Sequence, residues 1–141
     1  MGNDEVAIQQ LLNRYCHELD RGDIAAVVEM FSDDAVLLPE YEGSGEHVGR
    51  AAIAAWYTRY RAATSQAVRG LRHKISTAMI QVDGDRATAV CYLDADAVDR
   101  TSGRRSLTGG RYEDELIRQG DRWRIRQRRI IIDYASTLPG A

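Results

Sequence analysis

Residues 71–134, LRHKISTAMIQVDGDRATAVCYLDADAVDRTSGRRSLTGGRYEDELIRQGDRWRIRQRRIIIDY, decide the fold. Strand patterning fits four long stretches here, residues 71–82, 86–98, 105–118 and 122–134. Asp83-Gly84-Asp85, Thr101-Ser102-Gly103 and Gln119-Gly120-Asp121 separate them. The first and third hold a D-G or G-D pair, the chemistry of tight hairpins. Successive hairpins make an antiparallel sheet. A sheet of this length curves, and its concave face needs a cover.

The residues before it supply that cover. Over 4–20, Ile8, Leu11, Leu12, Tyr15 and Leu19 recur at helical spacing and form one apolar stripe. Asn3 or Asp4 suits its N-cap, and Arg21-Gly22-Asp23 ends it, with Gly22 free to take positive φ and Asp23 placed to cap the next helix. That second helix spans about 24–31 and buries Val27, Met30 and Phe31. A short strand at 35–38 stops at Pro39, and a polar loop runs over 40–49. A third helix, about 51–64, carries Ile53, Trp56, Tyr57 and Tyr60 on one side. The expected architecture is α+β: a cone-shaped, curved, antiparallel or mixed sheet with three N-terminal helices enclosing a mostly apolar pocket. Loops at 39–50 and 64–72 and the tail after Tyr134 would shape that pocket.

Composition narrows the function classes. The chain has 141 residues, 44% hydrophobic and 28% charged, and no linker or repeat divides it, so a single domain over 1–141 is expected. A net charge of −2 offers no global field for nucleic acid. The stretch 100–129 holds ten arginines against four acids but no aromatic-interleaved reader motif. No apolar run approaches a bilayer span, and MGNDEVAIQQLL does not read as a secretory signal. Cys16 and Cys91 make neither a disulfide framework nor a four-cysteine metal site, and read as reduced and buried in a cytoplasmic protein. His17, His47 and His73 fall on different elements without ligand spacing, so no metal is expected, and His17 and His47 read as surface groups. No phosphate-binding glycine motif or nucleophile elbow occurs, so no cofactor is expected.

This order of elements, with RYCHELDRGDIAAVVEMFSDDAV, GEHVGRAAIAAWY and GGRYEDELIRQGDRWRI, resembles the SnoaL-like branch of the nuclear transport factor 2 superfamily, whose fold is a cystatin-like α+β barrel. The resemblance runs from about Val6 to Tyr134. It implies that Asp20 and His73 occupy the positions of the aspartate–histidine pair of scytalone dehydratase, bile-acid 7α-dehydratase and hexachlorocyclohexane dehydrochlorinase. It also implies a role for Tyr15, for an arginine at Arg128 or Arg129, and for an acid at Asp96 or Asp94. The opening resembles ketosteroid isomerase too, but that enzyme's catalytic aspartate would fall at Pro39, which takes no proton. The family is usually dimeric, and trimers occur.

The implied residues make chemical sense. A carboxylate on one imidazole nitrogen fixes the tautomer and raises the basicity of the other. That nitrogen can take a proton and return it to a leaving hydroxyl. Tyr15 could donate to a developing negative charge, and Arg128 could fork onto a substrate oxygen. Trp56 and Tyr57 would flank a hydrophobic substrate. Each residue has a duller fit: Asp20 to a helix end, Tyr15 to the core, and Arg128 to a face shared with Arg124 and Arg126 at period two. The expectation is a dehydratase-type lyase acting on a steroid, polyketide or aromatic precursor. An isomerase or cyclase with the same dyad, or a non-catalytic binding and dimerisation module, stands as the alternative. Exposure of Ile130 and Ile132 on the convex face would call for a homo-oligomer.

Overall fold

The computed structural model describes residues 2–43 and 45–137. Helices α1 (Asn3–Arg21) and α2 (Ile24–Glu29) lead into strand β1 (Phe31–Pro39) and the two-residue β2 (His47–Val48). Helix α3 (Arg50–Ala67) follows, then β3 (Val68–Asp83), β4 (Arg86–Asp99), β5 (Arg105–Gln119) and β6 (Arg122–Thr137). The strands form one sheet in the order β2-β1-β6-β5-β4-β3. Among the described residues only β1 and β6 run parallel, so the sheet is mixed. It is not closed: β2 and β3 are its edges, and helices cover its inner face. The α+β architecture expected from the sequence is the one found.

The stripe on α1 buries Ile8, Leu12, Tyr15, Cys16 and Leu19, while Leu11 is half-buried at its margin. The N-cap is Gly2 rather than Asn3 or Asp4. Asp4 sits in the first turn, where its carboxylate accepts from Trp123 Nε1 at 3.0 Å and Arg118 Nη1 at 2.9 Å, tying the helix to the β5–β6 hairpin. Asp23 caps α2 as expected, accepting from the Ala26 N–H at 3.0 Å. Both cysteines are buried and free. Burial pushes the Cys16 thiol up to about 12 and Cys91 up to about 11.

Two boundaries differ from expectation. β1 begins at Phe31, because the chain joins β6 as soon as α2 ends: Ile125 N–H donates to the Met30 carbonyl at 2.8 Å. The loop expected over 64–72 does not exist. α3 runs to Ala67 and β3 starts at Val68, and Arg100 holds the junction. Its Nε donates to the Ser65 and Val68 carbonyls and its N–H to that of Ala67, each at 3.0 Å. Finally, residues 138–141 of the tail and Ser44 of the 40–49 loop lie outside the described residues.

Two single-residue bulges bend β6. Leu116 faces Ile125 but Glu115 faces Gln127, so Arg126 is extra; Gly110 faces Ile132 but Gly109 faces Tyr134, so Asp133 is extra. At the second bulge the strands approach closely. A Cβ on Gly110 would lie 2.0 Å from the Ile131 carbonyl oxygen, and one on Gly109 would lie 2.4 Å from the Tyr134 ring. Each bulge switches which side chains face the helices. Among the described residues, no helix is long and apolar enough to cross a membrane.

Candidate functional site

Asp20 stands near the end of α1, and His73 on β3 faces it. The Asp20 carboxylate accepts from His73 Nδ1 at 2.6 Å and from the His73 backbone N–H, 3.1 Å from each oxygen. These contacts leave Nδ1 as the donor and Nε2 as the acceptor. The His73 side chain is 5% exposed. Behind Asp20, Arg61 of α3 donates to its carbonyl at 3.1 Å. Gly22, at φ 81°, lies against the same guanidinium: a Cβ there would be 2.7 Å from Arg61 Cζ. The helix end is therefore closed by glycine and arginine, leaving the Asp20 side chain for His73.

Nε2 of His73 meets the Tyr60 hydroxyl at 2.9 Å. Because Nε2 accepts, Tyr60 donates. Burial raises the Tyr60 phenol pKa, with Tyr15, Tyr41 and Asp20 adding to the shift, so the hydroxyl keeps its proton at neutral pH. The Tyr60 ring stacks on Trp56 with centroids 5.4 Å apart and planes 11° apart. Trp56 is anchored by its Nε1, which donates to Glu42 at 3.0 Å.

These groups wall a cavity of about 340 Å³ between α1, α3 and the sheet. Tyr15, Tyr57 and Tyr112 join Trp56 and Tyr60 in an aromatic lining; Leu93, Ala95 and Ala97 of β4 form an apolar floor. The polar lining groups are His73, the tyrosine hydroxyls, Thr64, Ser106 and Thr108. The Tyr15 and Tyr57 hydroxyls share a hydrogen bond at 2.5 Å. Both phenols are pushed up, chiefly by burial. The side chains of Trp56 and Tyr57 therefore bound the cavity without filling it, and Trp123 lies elsewhere, under Arg118.

Arg128 is not where the sequence suggested. The bulge at Arg126 takes it off the face of Arg124 and turns it inward, yet it does not line the cavity. It is fully buried behind the tyrosines, its guanidinium 4.1 Å from the ring centres of both Tyr15 and Tyr112. Nε and Nη2 each donate to Asp114 at 2.7 Å, and Nη1 has no partner among the described residues. Burial works against the charge on Arg128, but the Asp114 carboxylate outweighs it and holds the pKa above its ordinary value. Sequence reasoning missed Asp114, although it alternates with Tyr112 and Leu116 in a period of two that marks it as inward.

Asp96 is also corrected. Ala95 and Ala97 point into the cavity, so Asp96 and Asp94 point out. Asp96 there pairs with Lys74 at 2.5 Å, Arg72 at 3.4 Å and Arg105 at 3.7 Å, and the Lys74 hydrogen bond lowers its pKa. Arg129 pairs with Glu40 on the surface side. Ile130 and Ile132 line the cavity rather than the convex face, so they give no reason for an oligomer. His17 is exposed; His47 is half-buried, with its Nε2 inside and unpartnered among the described residues.

A curved sheet roofed by helices, with an imidazole–carboxylate pair at an aromatic cavity, defines a class of small-molecule pocket proteins rather than one reaction. Within that class the chain belongs to the SnoaL-like domain family, whose model matches residues 2–129. A proposed aromatic ring hydroxylase from Novosphingobium aromaticivorans is 28% identical, with 96% of this chain and 93% of that one covered and a TM-score of 0.80. A proposed scytalone dehydratase from the same organism is 16% identical, with coverage of 98% and 89% and a TM-score of 0.82. A hexachlorocyclohexane dehydrochlorinase (LinA, type 2) is also 16% identical, with coverage of 98% and 90% and a TM-score of 0.82. The last two likenesses show the shared fold. Comparison with curated proteins finds no match.

Proposed function

We propose that the protein is a lyase that eliminates water, or a comparable leaving group, from an uncharged, hydrophobic ring substrate. The observation that carries this reading is the Asp20–His73 pair, whose second ring nitrogen is turned toward the aromatic cavity. Proton transfer alone suffices for such an elimination, so the chemistry calls for no cofactor. His73 Nε2 takes the proton from carbon, and Asp20 stabilises the imidazolium that forms. Tyr15, coupled to Tyr57, offers a hydroxyl to a substrate carbonyl as negative charge builds on it. Trp56 gives a flat wall for a ring. Arg128 acts at one remove, by holding the Tyr15 and Tyr112 rings from behind. A proposed scytalone dehydratase and a dehydrochlorinase carry the same fold, which suits elimination chemistry in this pocket.

The test is incubation with a fused-ring β-hydroxy ketone followed by mass spectrometry. The expected product has lost one water, and His73→Ala forms none. An isomeric product of unchanged mass would move the reading to isomerisation by the same dyad. Stoichiometric binding without turnover would make the protein a binding module.

A homodimer remains part of this reading, now on a different surface. Met79, Val90 and Tyr92 are exposed on the outer face of β3 and β4, at 66%, 40% and 56%. Light scattering is expected to give twice the chain mass, and Tyr92→Glu the monomer; a wild-type monomer would remove the dimer.

A further inference from the structure

The basic nitrogen of the dyad is not free. An imidazole nitrogen has one in-plane lone pair, and Tyr60 occupies that of Nε2 with its own proton. If His73 acted alone, this contact would obstruct it. Tyr60 also cannot swing aside cheaply: its ring lies flat on Trp56, and Trp56 is held by Glu42. What can move is the hydroxyl hydrogen, by rotation about the Cζ–Oη bond. That rotation takes the hydrogen off the Nε2 lone pair and aims it into the cavity, and a small slide of the phenol within the plane of its stack on Trp56 moves the oxygen off the lone-pair axis.

We propose that Tyr60 is the acid partner of His73, delivering its proton to the departing oxygen while Nε2 takes the carbon-bound proton from the same face of the substrate ring. This rests on the lyase reading above. The separation of 2.9 Å between Nε2 and the Tyr60 oxygen suits a hydrogen and an oxygen on neighbouring ring carbons, so the elimination is syn. The balance closes. The C–H pair becomes the new π bond, the C–O bond breaks, and the departing oxygen takes the phenol proton and leaves as water. Tyrosinate then recovers a proton from the Nε2–H of the imidazolium along the original hydrogen bond. Both groups return to their starting states. Tyr15 is less suited to the task, because its hydroxyl is engaged with Tyr57 and makes no contact with His73.

The test uses Tyr60→Phe, which keeps the ring and its stack on Trp56. The first arm needs no substrate: acylation of histidine by diethyl pyrocarbonate, followed residue by residue by mass spectrometry. With Nε2 uncovered, His73 should label several times faster in the variant, while the exposed His17 labels equally in both proteins. Equal labelling of His73 would overturn the proposal and leave the lyase reading untouched. The second arm compares two eliminations. Nitrobenzisoxazole expels a stabilised phenoxide that needs no proton, whereas a fused-ring β-hydroxy ketone must expel hydroxide or water. Loss of an acid should lower the second rate relative to the first by about 10²-fold. Equal loss on both probes would make Tyr60 a structural residue and overturn its acid role. Faster labelling without any dehydration by the wild type would overturn that role together with the lyase reading.

Discussion

Asp114→Ala is expected to destabilise the protein by about 3–5 kcal/mol, measured by urea unfolding. The reason lies in what the substitution leaves behind. Arg128 and Asp114 are both 0% exposed at the side chain and share two bonds of 2.7 Å. Without the carboxylate, a buried guanidinium would remain among Tyr15, Tyr112 and the core with no counter-charge. The faces of the two rings offset part of that cost, since each is 4.1 Å from the guanidinium. Arg128→Met alone should be nearly as damaging, because it strands the carboxylate. The double variant Arg128→Met, Asp114→Leu should recover much of the loss, since apolar side chains of similar size need no charge compensation. A single variant within about 1 kcal/mol of the wild type would mean that solvent reaches the pair. The Asp96 cluster is a useful contrast. It gathers three cations around one carboxylate, yet those cations are exposed, and screening leaves such pairs little weight.

The pair also shows where the sequence could be read and where it could not. The hairpins over β3–β6, the α1 stripe, Gly22 and the Asp23 cap follow local rules, and the structure keeps them. The inward course of Asp114 and the outward course of Asp94 and Asp96 follow from the same period of two, applied to Tyr112–Leu116 and Leu93–Ala97. Arg128 is different. Its face depends on the Arg126 bulge, and nothing in R-W-R-I-R-Q-R-R marks which arginine is the extra one. The bulge is set by pairing with β5 on one side and β1 on the other, which is tertiary information. The missing loop at 64–72 has a similar cause, since the Arg100 guanidinium that holds the α3–β3 junction comes from 32 residues beyond Val68. Tyr60 could be placed on the inner side of α3 from its spacing to Trp56, but its contact with His73 requires the sheet to be folded against the helix.

Asp20→Asn is expected to lower the dehydration rate by about 10²–10⁴-fold while leaving the fold in place. Asp20 does more than balance charge. As a carboxylate it offers only acceptors, and it meets two donors on one residue, the His73 backbone N–H and Nδ1–H. Asparagine has one acceptor and one donor end. If its oxygen keeps Nδ1–H, its amide N–H₂ confronts the backbone N–H. If it turns over, the amide donates to Nδ1 and drives the proton to Nε2, the atom that must be empty to act as a base. Either state also lacks the negative charge that supports the imidazolium. Nitrogen NMR of the imidazole separates the two, and the dehydration assay reads their consequence. Retention of the full rate would reduce Asp20 to a helix-end residue and remove the dyad from the mechanism. The structure already gives that end other means of closure. Gly22 N–H donates to the Glu18 and Leu19 carbonyls at 3.0 and 3.1 Å, and Arg61 takes the Asp20 carbonyl, so no capping bond is lost when the carboxylate becomes an amide. A rate loss far larger than the modest drop in unfolding midpoint that the facing amide and backbone N–H groups would cause is therefore the signature of a carboxylate kept for chemistry.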